Sequence, residues 1–182
     1  VEGINVIILY PSGKVSDIQE KQLTTLDKNI YALEIQGTFD DCQSLVKQAF
    51  LDDELKRYID LSSANSINIA RLIPQSFYYF NAYAKLNTDK KIVVSVPSGN
   101  FGNITAGILA KHMGLPINHF IASTNANKTV PEFLSSNNYV SSKSIETISN
   151  AMDVGDPSNM KRIMDIYKNV ESLKKELSSW SF

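Results

Sequence analysis

Short apolar, β-branched runs alternate along the chain with stretches whose apolar residues recur every three or four positions. These are the periods of strands and helices. Val6-Ile7-Ile8-Leu9 is the first run. It is continuously apolar and ends at the turn sequence Tyr10-Pro11-Ser12-Gly13, so it reads as a strand buried on both faces. Ser16 with Gln19 forms a capping box that opens a helix to about Leu26. Ile30–Ile35 is the next strand, closed by Gly37. Thr38 or Asp40 then caps a helix carrying Cys42, Leu45, Val46, Ala49 and Phe50 at helical spacing. Beyond a polar stretch ending in Asp60-Leu61-Ser62-Ser63, a long helix runs through Ile69, Leu72, Ile73, Phe77, Phe80 and Tyr83. Pro74 is expected in its first turns or at a bend.

Ile92-Val93-Val94-Ser95-Val96 is the cleanest strand in the sequence. A glycine-rich turn follows, then a helix from about Gly102 to His112, stopped by Gly114 and Pro116. Ile117 to Ala122 reads as a further strand and residues 130–134 as helix. Ser158 is expected to cap a last pair of helices through Met164, Ile166, Val170 and Leu173. Strand–helix alternation with apolar strands predicts one α/β domain over residues 1–182: three layers, a mostly parallel sheet with helices on both faces. Ligands in such folds bind at the carboxyl ends of the strands. Two segments are well placed for that, the turn after Val96 and the polar segment around Asn65.

Composition narrows the function classes. The 182 residues are 43% hydrophobic and 20% charged, with a net charge of −1. No basic stripe is present to neutralise phosphates, which argues against a nucleic-acid partner. The one cysteine, Cys42, allows no internal disulfide and no zinc cluster, and reads as a small buried apolar residue. No apolar run approaches the roughly 20 residues of a membrane-spanning helix, and no signal peptide is visible. The expected compartment is the cytoplasm. The chain opens on Val1 rather than Met, and Gly3 looks like the glycine that ends a helix, so the expectation is a piece cut from a longer chain.

The candidate chemistry lies in the two polar segments. In Ser98-Gly99-Asn100-Phe101-Gly102-Asn103, residues without Cβ let the backbone approach an anion, and successive N–H groups can converge on phosphate oxygens. The helix that follows adds its N-terminal dipole, worth ~0.3–1 kcal/mol for a favourable charge. The spacing matches neither the dinucleotide fingerprint nor a Walker loop, so one compact phosphate is the expected ligand; a tight turn holding nothing is the alternative. In Asn65-Ser66-Ile67-Asn68-Ile69-Ala70-Arg71, Asn68 and Arg71 share a helix face behind a hydroxyl-rich entrance. This suits a second anion, against the alternative of capping plus a surface arginine. Asp40-Asp41 complements a helix start, and His112 and His119 are read as structural. No metal site and no Ser-His-Asp or Cys-His arrangement can be assembled.

Taken together, five stretches resemble threonine synthase of the longer bacterial and fungal type. They are residues 9–16 (Leu-Tyr-Pro-Ser-Gly-Lys-Val-Ser), 37–43 (Gly-Thr-Phe-Asp-Asp-Cys-Gln), 65–71, 96–103 and 152–159 (Met-Asp-Val-Gly-Asp-Pro-Ser-Asn). They occur in the family's order across nearly the whole chain. The resemblance implies a tryptophan-synthase β-like fold (fold type II) and a pyridoxal-phosphate (PLP) lyase that converts O-phospho-L-homoserine and water to L-threonine and phosphate. By it, Gly99, Asn100, Phe101, Gly102 and Asn103 would hold the cofactor phosphate, and Ser66, Asn68 and Arg71 would receive the phosphorylated amino acid substrate. It also implies that the family's Schiff-base lysine lies upstream of Val1 and the residue facing the pyridine nitrogen downstream of Phe182. No catalytic residue is then expected within this chain, and the chain alone is expected to be inactive. Two alternatives stand beside this reading: another fold type II enzyme, such as a dehydratase or cysteine synthase, and a non-catalytic phosphate-binding α/β module.

Overall fold

A computed structural model of the chain describes residues 3–182. The chain divides into two compact units, Val1–Leu61 and Ser62–Phe182.

In the first unit, β1 (Val6–Pro11) and β2 (Ile30–Ile35) pair in parallel, Val6 opposite Ile30 and Pro11 opposite Ile35. Helix α1 (Asp17–Thr24) makes the crossover between them, and Ser16 and Gln19 close the expected capping box. The helix stops two residues before Leu26. Helix α2 (Phe39–Leu51) starts at a second box: the Thr38 amide donates to Asp41 Oδ2 at 2.7 Å and the Asp41 amide to Thr38 Oγ1 at 3.3 Å. Thr38, not Asp40, is therefore the cap. Cys42 is buried, and burial followed by the nearby Asp41 carboxylate pushes its thiol pKa up, the signature of an inert cysteine. One expectation fails here. Val6 and Ile7 are exposed, Ile7 by 61%, because β1 belongs to a two-stranded sheet that offers them no second covered face.

The second unit carries the larger core. Its sheet runs in the order β3 (Ile92–Pro97), β4 (Ile117–Thr124), β5 (Leu177–Ser181), parallel throughout. The central strand β4 alternates. Phe120, Ala122 and Thr124 are buried, and Asn118, His119 and Ile121 are more exposed. Helix α3 (Ile69–Leu86) packs on α4 (Gly102–His112). The Tyr79 ring stands edge-on to Phe120 with centroids 6.3 Å apart, joining helix to sheet. Pro74 lies in the second turn of α3, and the helix continues through it. Helices α5 (Thr129–Ser136), α6 (Met160–Tyr167) and α7 (Val170–Lys174) complete the unit. Ile104, Ile108, Ile163 and Leu173 are fully buried among them.

The expected class, α/β with parallel pairing, is what the chain adopts. Two local readings are corrected. Strand β5 has no counterpart in the sequence reading. Ser158 caps neither of the last two helices: α6 begins after Asn159, which makes no side-chain cap, α7 is capped by Asn169, and the Ser158 amide and hydroxyl both donate to Asn100 Oδ1, at 2.7 and 3.0 Å. Both histidines have partners within the second unit. His112 stands edge-on to Tyr167, and His119 reaches the Lys175 carbonyl and Ser178 Oγ.

Candidate anion-binding site

The turn after β3 leaves the strand with its chain still paired, the Ser98 amide donating to the Ser123 carbonyl at 2.8 Å. Ser98 is buried and its hydroxyl returns to the Val96 carbonyl at 2.9 Å. From there the amides change partner. The backbone N–H groups of residues 99–104 donate to no protein acceptor among the described residues, and the first helical bond is Thr105 N–H to the Phe101 carbonyl at 3.0 Å. Unpaired amides at the start of a helix are what an anion site offers.

The shape of the turn is fixed from three sides. A Cβ on Gly99 would lie 2.7 Å from the Met152 Cα, so only glycine lets the 152 backbone lie against it. A Cβ on Gly102 would lie 3.0 Å from Ser66 Cβ. Phe101 holds a left-handed backbone, φ 59 and ψ 15, with its ring 2% exposed. That conformation is unfavourable for an aromatic residue and persists because the surroundings impose it. Thr105 Oγ1 donates to the Phe101 carbonyl at 2.6 Å, which braces it.

The side chains expected to serve the anion divide into two groups. Asn100 is consumed by the protein. Its Nδ2 donates to Ser66 Oγ at 2.7 Å, its Oδ1 takes both Ser158 donors, and its carbonyl accepts Asn159 Nδ2 at 2.9 Å. Its backbone N–H and one side-chain amide hydrogen are left for a ligand. Asn103 accepts the Tyr79 hydroxyl at Oδ1, 2.7 Å away. Burial pushes the Tyr79 phenol well above its usual range, so it remains a donor.

In the second segment, Ser66 lies against the glycine turn. Asn68 is the cap of α3: Oδ1 accepts the Ala70 amide at 3.0 Å and Nδ2 donates to the Ser63 carbonyl at 2.8 Å, leaving one amide hydrogen. Arg71 places Nη1 on the Ala64 carbonyl at 2.5 Å and is otherwise exposed, so most of its donors remain. The structure thus joins Ser66 to the turn, while the protein bonds of Asn68 and Arg71 stay within their own segment.

Sequence reasoning missed Arg162 and the role of Asn159. Arg162 donates from Nη1 to the Ser66 carbonyl at 3.0 Å and to Asn159 Oδ1 at 2.6 Å, and from Nη2 to the Ile67 carbonyl. One signal was available. Arg162 is the third residue of α6, where a cation opposes the helix dipole, so its presence there calls for a specific partner. No group of three or more His, Cys, Asp or Glu side chains able to hold a metal occurs among the described residues.

Parallel strands, crossover helices and an amide-lined turn at a strand's carboxyl end define an α/β fold with a candidate anion site. The processed threonine deaminase isoform 2 of Solanum lycopersicum shares this fold with a TM-score of 0.61 at 11% identity. No family model matches the chain. Threonine synthase of Haemophilus influenzae is 56% identical over 170 residues, 92% of this chain and 40% of that protein. The crystal structure of the Escherichia coli threonine synthase superposes with a TM-score of 0.91 at 50% identity, covering 97% of this chain and 42% of that one. The PLP-bound threonine synthase of Brucella melitensis gives 0.82 at 36% identity, covering 97% and 44%. Across the matched stretch the chain is similar to threonine synthases at 50% identity or more in two of these comparisons. It spans about two fifths of the length of the curated relatives it matches, 40% and 42% for two of them.

Proposed function

We propose that this chain is the phosphate-binding portion of a threonine synthase, acting on O-phospho-L-homoserine and water to give L-threonine and phosphate. The observation that carries the proposal is the run of N–H groups over residues 99–104 with no protein acceptor, at the carboxyl end of β3 and the start of α4. Gly99 to Asn103 hold the phosphate of pyridoxal 5′-phosphate, chiefly through the backbone. The cradle fits such a group, because the two places a Cβ would fill are glycines. When bound, the cofactor supplies an electron sink for charge developing on the substrate.

The protein's own part is to bind and orient. Residues 99–104 offer neutral donors and a helix dipole, which hold an anion without a competing cation that would move it. Ser66, Asn68 and Arg71 receive the substrate phosphate. Arg71 supplies a guanidinium with unspent donors, suited to paired contacts with phosphate oxygens, and Asn68 a remaining amide hydrogen. The compartment that fits this chemistry is the cytoplasm.

Equilibrium dialysis against PLP, inorganic phosphate and ATP tests the reading. PLP and phosphate are expected to compete for one site, with ATP excluded for want of a Walker loop. Tight ATP binding with no PLP binding favours a nucleotide-binding module instead.

A further inference from the structure

Four residues close a ring of hydrogen bonds. Asn100 Nδ2 donates to Ser66 Oγ at 2.7 Å; the Ser66 carbonyl accepts Arg162 Nη1 at 3.0 Å; the same Nη1 donates to Asn159 Oδ1 at 2.6 Å; and Asn159 Nδ2 donates to the Asn100 carbonyl at 2.9 Å. Asn159 is fully buried. The ring spans the glycine turn, the entrance to α3 and the start of α6. Among the described residues the Ser66 backbone is tied across these segments by Arg162 alone, and Arg162 also holds the next carbonyl, Ile67.

A guanidinium is suited to this task. Its planar fork presents donors at fixed angles, so two adjacent carbonyls and an amide oxygen can be held in one arrangement. An ammonium carries the same charge but cannot reproduce the fork.

We infer that Arg162 is a positioning residue that sets the Ser66 turn against the glycine turn, so that the cofactor-phosphate cradle and the second anion segment are held in one geometry and respond to an anion together. The inference rests on the cradle reading given above. Arg162 meets no ligand; it acts through the Ser66 and Ile67 carbonyls and through Asn159.

The test is a titration of the ¹⁵N-labelled 182-residue chain with inorganic phosphate, following the amides of residues 99–104, the Ser66 amide and the Arg162 Nε–H resonance. In the unmodified chain all three sets are expected to shift with one midpoint. In Arg162→Lys the cradle amides are expected to require at least tenfold more phosphate. Glu176→Gln, which weakens the fold at the far end of α4, serves as the control and should leave the midpoint unchanged whatever it does to thermal stability. Equal midpoints in the unmodified chain and Arg162→Lys would overturn the role of Arg162 while the cradle reading stands. Silent Ser66 and Arg162 resonances beside shifting cradle amides would overturn it too, even if the variant does not fold. No shift at residues 99–104 in the unmodified chain overturns the cradle reading, and this inference with it.

Discussion

The side-chain amide of Asn100 donates to the hydroxyl of Ser66 across 2.7 Å, joining residues 34 apart in sequence. The bond makes one polar surface from two segments, the turn that ends β3 and the entrance to α3. It also engages one of the two Asn100 side-chain donors, so most of the cradle's unpaired donors are backbone.

Asn100→Asp tests that division of labour. The substitution keeps Oδ1 for the two Ser158 donors and lets the Ser66 hydroxyl reverse its role, so the fold should survive. It places a negative charge beside the cradle. Phosphate affinity is expected to fall at least tenfold, about 1.4 kcal/mol, with a small change in melting temperature. Unchanged affinity by dialysis would show that no anion approaches this residue.

Gly99→Ala is expected to destabilise by roughly 1–3 kcal/mol, the usual cost of overpacking. Its new methyl would press on the Met152 backbone at 2.7 Å, and backbone cannot swing aside as a side chain can. Chemical denaturation of the two proteins reads the difference directly.

Glu176 gives a prediction about pH. Burial alone would raise its carboxyl pKa, but hydrogen bonds from Lys111 and Tyr167, with the charges of Lys111 and His112, outweigh it and hold the group below the usual carboxylate range. A lowered folded-state pKa contributes stability that is present above the unfolded value and is lost as pH falls through the folded one. Glu176→Gln should therefore flatten the acid limb of the stability curve and lower stability at neutral pH. An identical acid limb in both proteins would contradict the assignment.

Arg71→Leu, placed in a complete threonine synthase carrying this segment, should raise KM for the phosphorylated substrate while leaving cofactor binding intact. The 182-residue chain by itself is expected to release no phosphate from O-phospho-L-homoserine above background. Both are read by a phosphate-release assay.

The fold was legible where local pattern decides it. Ile30–Ile35 and α4 fall where their apolar runs and stop signals put them, and Ser16 with Gln19 caps as the motif requires. Strand β5 was hidden because Leu-Ser-Ser-Trp-Ser carries one buried apolar residue, Leu177, and leaves Trp180 60% exposed. Only its pairing with β4 makes it a strand. The site divides the same way. Glycines and asparagines at a strand–helix junction announced the cradle, since their residue types are needed by any backbone that binds an anion. The particular tasks of Asn100, Asn159 and Arg162 depend on partners 34 to 96 residues away in sequence, which no local pattern contains.

The unpaired amides of residues 99–104 are the feature an anion must meet. Titrating the ¹⁵N-labelled chain with pyridoxal 5′-phosphate should shift those resonances together, with inorganic phosphate producing the same pattern at higher concentration. Shifts confined to other parts of the chain, or none at all, would contradict it.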